Sequence, residues 1–254
     1  MLEPLRPLPG NTFGKGGCPE EHPRRVLLDD VFYLVRGGVA WAQLPRGFPP
    51  YQAVYGVVRR WVRAGAWRGT HDALRDRTRV AAGRDPTSTA AGIDSQTVRG
   101  ADTVPRAARA MTRARRPRGR ERHIAVDILG LLPGAEVTGA GIQDRDRAHR
   151  LLAAWQACSS TISLVWADSG YTGRLVTWAH KVLSLTVEIV KRTDTTAGFR
   201  VPPRRWVVER TFGRIVKHRR CVRDYETLPD HHEAMIHIAM IMTTSRQLTH
   251  TPTR

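Results

Sequence analysis

The sequence predicts a mixed α/β domain preceded by a small all-helical segment, on three observations. Three strand-like runs, AAGIDSQTV, HIAVDILGLL and GAEVTGAGI, come in succession and lead into alternating helical and strand patterns. Ahead of them, residues 24–80 repeat apolar side chains at helical spacing. The glycine-rich phosphate loop of a doubly wound sheet is missing: no GxGxxG follows a first strand and no GxxxxGK[ST] is found.

Taken in order, residues 1–23 are rich in Pro and Gly and read as a poorly ordered segment. RRVLLDDVFYLVRGG places Leu27, Leu28, Val31, Leu34 and Val35 at helical spacing, and Gly37-Gly38 ends the helix. PPYQAVYGVVRRWVRAG sets Tyr51, Val54, Tyr55, Val58 and Trp61 on one face, with Arg59, Arg60 and Arg63 elsewhere; AWRGTHDALRDR follows as a third helix. Three short helices with a basic member suit a helix-turn-helix-like DNA-binding domain over 24–83, and equally a plain helical subdomain with solvated arginines. RDPTSTA (84–90) is a linker that opens a domain over 84–250, whose first strand holds Asp94 in its middle.

Residues 101–122 form a basic arm. Eight arginines fall between Arg106 and Arg122, among them Arg113, Arg115, Arg116 and Arg118, with little apolar content, so the segment reads as loop rather than core. HIAVDILGLL and GAEVTGAGI then read as a hairpin. DRDRAHRLLAAWQAC is an amphipathic helix burying Leu151, Leu152 and Trp155, with Asp144 and Asp146 suited to its N-terminal cap. ISLVWADSGY is a short strand ending at Asp168; RLVTWAHKVL is a helix, LTVEIVKR a strand, and PPRRWVVERTFGRIVKHRR a helix opened by prolines. HEAMIHIAMIMTTSRQL is a last helix with Met235, Ile238, Ala239 and Met242 on one stripe. This order, strand, strand, strand, helix, strand, helix, strand, helix, helix, suits an RNase-H-like sheet.

The 254 residues carry 41 Lys and Arg against 23 Asp and Glu, a formal charge of +18, which implies a polyanionic partner: nucleic acid ahead of an acidic membrane surface. No secretory signal opens the chain and no apolar run is long enough to span a bilayer, so the expected location is cytoplasmic, with nucleoid association. Cys18, Cys158 and Cys221 are too few and too dispersed for a disulfide framework or zinc knuckle and read as reduced thiols.

Three carboxylates stand out. Asp94 falls where a strand should be buried, and an ionised carboxylate there is costly unless paired or metal-bound. Asp168 closes an apolar strand at its carboxyl end, where open sheets place ligands. Glu209 interrupts the apolar pattern of Trp206, Val207, Val208 and Phe212, which puts its helix face near the core. Each has a plain alternative: a strand-end turn for Asp94, an Asx turn before Gly170 for Asp168, an ion pair with Arg205 for Glu209. Together, amid basic sequence, they suit phosphodiester chemistry, in which two Mg²⁺ (or Mn²⁺) ions about 3.5–4 Å apart clamp the attacking and leaving oxygens and take hard carboxylate ligands. Arg205 and Lys217, flanking Glu209, are placed to meet DNA phosphates or to remain surface charges. Asp127 suits a supporting position beside the first strand, His123 a structural one, and the His231-His232 pair receives no role. Trp155, Trp166, Trp178 and Trp206 read mostly as core, with Trp206 also placed to stack on an extruded base.

The blocks GIDSQTV, ERHIAVDILGLL, QDRD, LVWADSGYTG, RRWVVERTFGRIVKHRR and DYETLPDHHEAMIHIAMI resemble, in the same order, those of bacterial insertion-sequence transposases of the large group numbered five. The resemblance runs from about residue 24 to the C-terminus. It departs at AARAMTRARRPRGRERH, where Glu121 replaces a common basic residue, and at PGAEVTGAG. It implies an acidic-triad (DDE) transposase with Asp94, Asp168 and Glu209 as catalytic metal ligands, and a DNA-binding helical module at the N-terminal side. The implied enzyme, working as a homodimer or larger assembly, binds the element's terminal inverted repeats, cleaves phosphodiester bonds there and joins the 3′-hydroxyl ends to target DNA. A nuclease of the same fold that cuts without joining, and a catalytically decayed DNA-binding relative, are the rival readings.

Overall fold

The computed structural model describes residues 21–106, 119–139, 144–158, 161–190 and 206–250. Three helices come first: α1 (Arg24–Gly37), α2 (Tyr51–Arg63) and α3 (Ala66–Ala81). Helix α1 stops at Gly38, whose φ of 72° lets its N–H reach the Leu34 carbonyl. A side chain at Gly38 would meet Arg219 Cβ at 2.7 Å, so this glycine serves both the cap and a close approach of two segments.

The sheet follows as β1 (Ala90–Arg99), β2 (Gly119–Asp127) and β3 (Gly134–Gly139). Then come α4 (Asp144–Cys158), β4 (Leu164–Ala167), α5 (Arg174–Leu183), β5 (Thr186–Ile189), α6 (Trp206–Val216) and α7 (Pro229–His250). The strand order is β3-β2-β1-β4-β5. β1, β2 and β3 pair antiparallel, whereas β1, β4 and β5 pair parallel. This is the RNase-H-like arrangement that the element order predicts, a mixed sheet flanked by helices and preceded by a helical segment.

Alternation along the strands gives the sheet two distinct faces. Ala91, Ile93, Ala125, Val165 and Ala167 pack with Leu152, Trp155 and Leu175 of α4 and α5. Ile124, Val126 and Val137 face the other way, into a core shared with Val208, Phe212 and Ile215 of α6 and with α7. Helices α1, α2 and α3 contribute Leu34, Val58 and Leu74 to that same core. The helical segment and the sheet therefore bury one continuous apolar interior.

Helix α7 differs from its sequence reading. The stripe of Met235, Ile238, Ala239 and Met242 is only part of what it buries, because every residue from Ala234 to Ile241 is buried. The cause is position: α1, α2, α3, α6 and β3 all pack against it, and a helix enclosed on all sides is apolar all round.

The basic arm also ends earlier than the composition suggests. Strand β2 begins at Gly119, and Arg120, Glu121 and Arg122 are all buried in the sheet. Charge density misleads here because these guanidinium groups reach internal partners. Arg120 pairs with Asp224 at 2.9 Å and donates to the Glu226 carbonyl at 2.8 Å. Asp224 also accepts from the Glu226 N–H and lies 3.2 Å from the His232 ring. Burial alone would raise the Asp224 carboxyl, but His232, the Glu226 N–H and Arg120 together hold it below its usual range. Arg220 makes a second buried pair with Glu226 and donates to the Val39 carbonyl at 3.0 Å, tying the segment after α1 to the segment after α6. Sequence reading passed over Asp224, Glu226 and His232, because only distant partners distinguish them from surface charges.

Candidate active site

Strand β1 lies at the switch in sheet direction, with antiparallel β2 on one side and parallel β4 on the other, and open sheets place ligands in that crevice. Gly92 pairs with Trp166. Asp94 and Asp168 each follow this last paired position by two residues, Asp94 within β1 and Asp168 just past the end of β4. Asp94 pairs across β2 with Ile124 and so shares the face of Ile124, the face on which α6 packs. Helix α6 carries Glu209.

The burial of these groups differs from the expectation. Asp94 is half-buried, because its half of the strand faces a crevice and not a filled core. Its Oδ1 accepts the Ser95 N–H at 2.7 Å. Asp168 is also half-buried; it follows β4 directly and accepts the Gly170 N–H at 2.9 Å, the Asx turn that the Asp-Ser-Gly sequence allows. Glu209 is exposed: α6 buries Val208, Thr211, Phe212 and Ile215, and Glu209 stands on the flank of that stripe. Among the described residues, no group of three or more His, Cys, Asp or Glu side chains is gathered closely enough to hold a metal ion. Asp94 and Asp168 nevertheless offer hard oxygen donors on neighbouring strands, and Mg²⁺ is commonly held by one or two carboxylates with waters and substrate oxygens completing its shell.

Helix α6 is fixed to the β2–β3 turn. Thr211 Oγ1 donates to the Gly130 carbonyl at 3.3 Å, and Arg210 donates to the Leu129 carbonyl at 3.4 Å. Arg214 reaches the Gly130 carbonyl at 3.5 Å. Arg210 also lies over the Trp206 ring, 4.1 Å from its centroid, and Trp206 is 44% exposed. Trp155 is buried and Trp178 packs against the same core, as expected, whereas Trp166 belongs to neither core and its indole N–H donates to Glu188 at 3.0 Å.

Among the basic residues singled out by sequence, Arg59, Arg60 and Arg63 are exposed on α2, opposite buried Val54, Val57, Val58 and Trp61. Lys217 is exposed in the turn just after α6, one residue past the helix on which it was expected. Arg113, Arg115, Arg116, Arg118 and Arg205 lie outside the described residues, and so do Cys18 and the side chains of Asp144, Asp146 and Cys158. His123 is structural: it is buried, 3.2 Å from Thr138 Oγ1. Asp127 holds the β2–β3 turn and pairs with Arg79 rather than supporting Asp94. Cys221 is a buried free thiol whose pKa burial pushes up to about 12, which keeps it unreactive. No helix among the described residues is long and apolar enough to cross a membrane.

Two family models match the chain. Residues 86–244 match the model described as "Transposase DDE domain", and residues 1–71 match the one described as "Putative transposase of IS4/5 family". The first spans the whole sheet, α6 and most of α7, and the second ends within α3. No curated protein matches the chain.

Proposed function

The chain belongs to the DDE transposases of insertion sequences, and from that premise we propose that it cleaves DNA at the ends of its element and joins the freed 3′-hydroxyls to target DNA. The observation that carries the reading is that Asp94 and Asp168 follow the last paired residues of adjacent strands β1 and β4, with Asp94 on the sheet face where the Glu209 helix packs. In this reading Asp94, Asp168 and Glu209 are the ligands of two divalent ions. Bound there, Mg²⁺ or Mn²⁺ would lower the pKa of an attacking water and neutralise charge on the phosphodiester. The chain's own part is orientation. The Asx turn at Asp168 and the Ser95 N–H at Asp94 fix one carboxylate oxygen of each. Glu209 enters from α6, whose seat on the Gly130 turn sets its height over the sheet.

DNA contacts follow the charge. The net +18 calls for a polyanion, and the outward face of α2 offers Arg59, Arg60 and Arg63 to phosphate. Arg113, Arg115, Arg116 and Arg118 supply a basic arm for duplex backbone, and Arg205 and Lys217 flank the cut site. Terminal inverted repeats and target DNA are the partners, engaged by a homodimer or larger assembly.

Incubation with Mg²⁺ and linear DNA bearing the ends of the neighbouring element tests this. Products both cleaved and joined support transposition. Cleavage without joining indicates a nuclease of the same fold, and binding without either indicates a DNA-binding relative.

A further inference from the structure

Arg122 lies in β2 with its side chain 1% exposed. Its partners among the described residues are neutral. Nε donates to Gln96 Oε1 at 2.9 Å, Nη2 donates to the same oxygen, and Nη1 donates to the Cys221 carbonyl at 2.8 Å. The guanidinium also lies over the Phe212 ring, 5.6 Å from its centroid. Burial lowers the pKa of the group to about 10, so the charge persists at neutral pH in surroundings that disfavour it.

Burying a cation without a carboxylate is an expensive way to fill space, and an apolar side chain of similar volume would fill it at lower cost. What Arg provides and Met or Leu does not is a planar fork that fixes several groups at once. Those groups belong to the elements that carry the candidate ligands. Gln96 lies two residues beyond Asp94 on the same face of β1. Phe212 lies three residues beyond Glu209 on α6, and Cys221 is in the short helical turn that follows it.

We propose that Arg122 is a positioning residue that sets the Glu209 helix against the Asp94 strand, so that Asp94, Asp168 and Glu209 meet metal and phosphate in one geometry. The proposal rests on reading those three carboxylates as the metal-binding set. Arg122→Lys keeps the charge and loses the fork, so charge alone does not rescue it.

The test is titration of the full-length protein with Mn²⁺ alone, following free Mn²⁺ by electron paramagnetic resonance, alongside thermal unfolding. Arg122→Lys is expected to bind Mn²⁺ about tenfold or more weakly, within the range that loss of a supporting residue causes. Leu34→Ala, which removes a buried side chain of α1, should lower the thermal midpoint and keep the parent's Mn²⁺ affinity. Parent-like affinity in Arg122→Lys, or an equal loss in Leu34→Ala, overturns the proposal. If Arg122→Lys does not fold, Gln96→Leu removes the acceptor on β1 and is judged by the same two outcomes. Asp94→Asn separates the levels: if it also binds Mn²⁺ like the parent, the metal-binding set is wrong. If it loses binding while Arg122→Lys does not, only the role of Arg122 falls.

Discussion

Arg79 and Asp127 form a buried ion pair that ties the last turn of α3 to the end of β2. Both are otherwise satisfied: Arg79 donates to the Asp85 carbonyl at 2.7 Å, and Asp127 accepts from the N–H groups of Leu129 and Leu131, each at 2.9 Å. The pair thus joins the helical segment to the turn on which α6 sits. Removing one partner strands the other charge in the interior. Asp127→Ala should therefore cost about 3–5 kcal/mol in urea unfolding. The double variant Arg79→Met, Asp127→Leu should lose clearly less than the two single changes added together. Additive losses would show that the two groups act independently.

Asp168→Asn should reduce cleavage by more than about 100-fold, the upper end of what loss of a supporting residue costs at a metal site. DNA affinity should stay equal or rise, since one negative charge near phosphate is gone. The amide still accepts the Gly170 N–H, so the turn survives and the loss is not one of folding. A cleavage assay with a parallel binding titration decides it, and cleavage at the parent's rate would exclude Asp168 as a ligand.

Asp30 is fully buried in α1, and among the described residues neither carboxylate oxygen has a hydrogen-bond partner. Burial, then the neighbouring Asp29, raises its pKa from 3.8 to about 6, with His22 opposing. The sign follows from proton counting. Between about pH 4 and 6 the folded chain holds a proton that the unfolded chain has released, so this group's contribution to stability falls as pH rises through that window and stays low above it. Asp30→Asn should remove the dependence, raising the thermal midpoint at pH 8 by on the order of 3 °C and leaving it nearly unchanged at pH 4. Equal shifts at both pH values would assign the effect to packing instead.

Replacing Arg113, Arg115, Arg116 and Arg118 by Ala should make the salt dependence of DNA affinity shallower. Each phosphate contact contributes a log–log slope of about −0.9, so four contacts amount to roughly three to four units. The loss should be alike on terminal-repeat and random DNA, because backbone contacts carry no base information. An unchanged slope would move the phosphate contacts to α2 and the α6 region.

The sequence by itself determined the element order, the strand-end position of Asp168 and the excess of positive charge. Each of these is local: period-2 and period-3.6 patterns, an Asp-Ser-Gly turn and a sum of charges need no distant partner. The family was legible too, in the blocks around Asp94, Asp168 and Glu209. Tertiary structure alone decided the rest. Arg120 and Arg122 belong to the basic run by composition, yet they are core residues because Asp224, Gln96 and the Cys221 carbonyl accept their hydrogen bonds from far along the chain. Helix α7 is buried on every side from Ala234 to Ile241 because α1, α2, α3, α6 and β3 converge on it, a fact that no single stripe encodes. Glu209 is exposed despite its apolar neighbours, because the direction of a helix face is set by what it packs against, here β1, β2 and the Gly130 turn. Whether a charge is solvated or buried depends on partners that lie tens of residues away, and that distance is closed only by the fold.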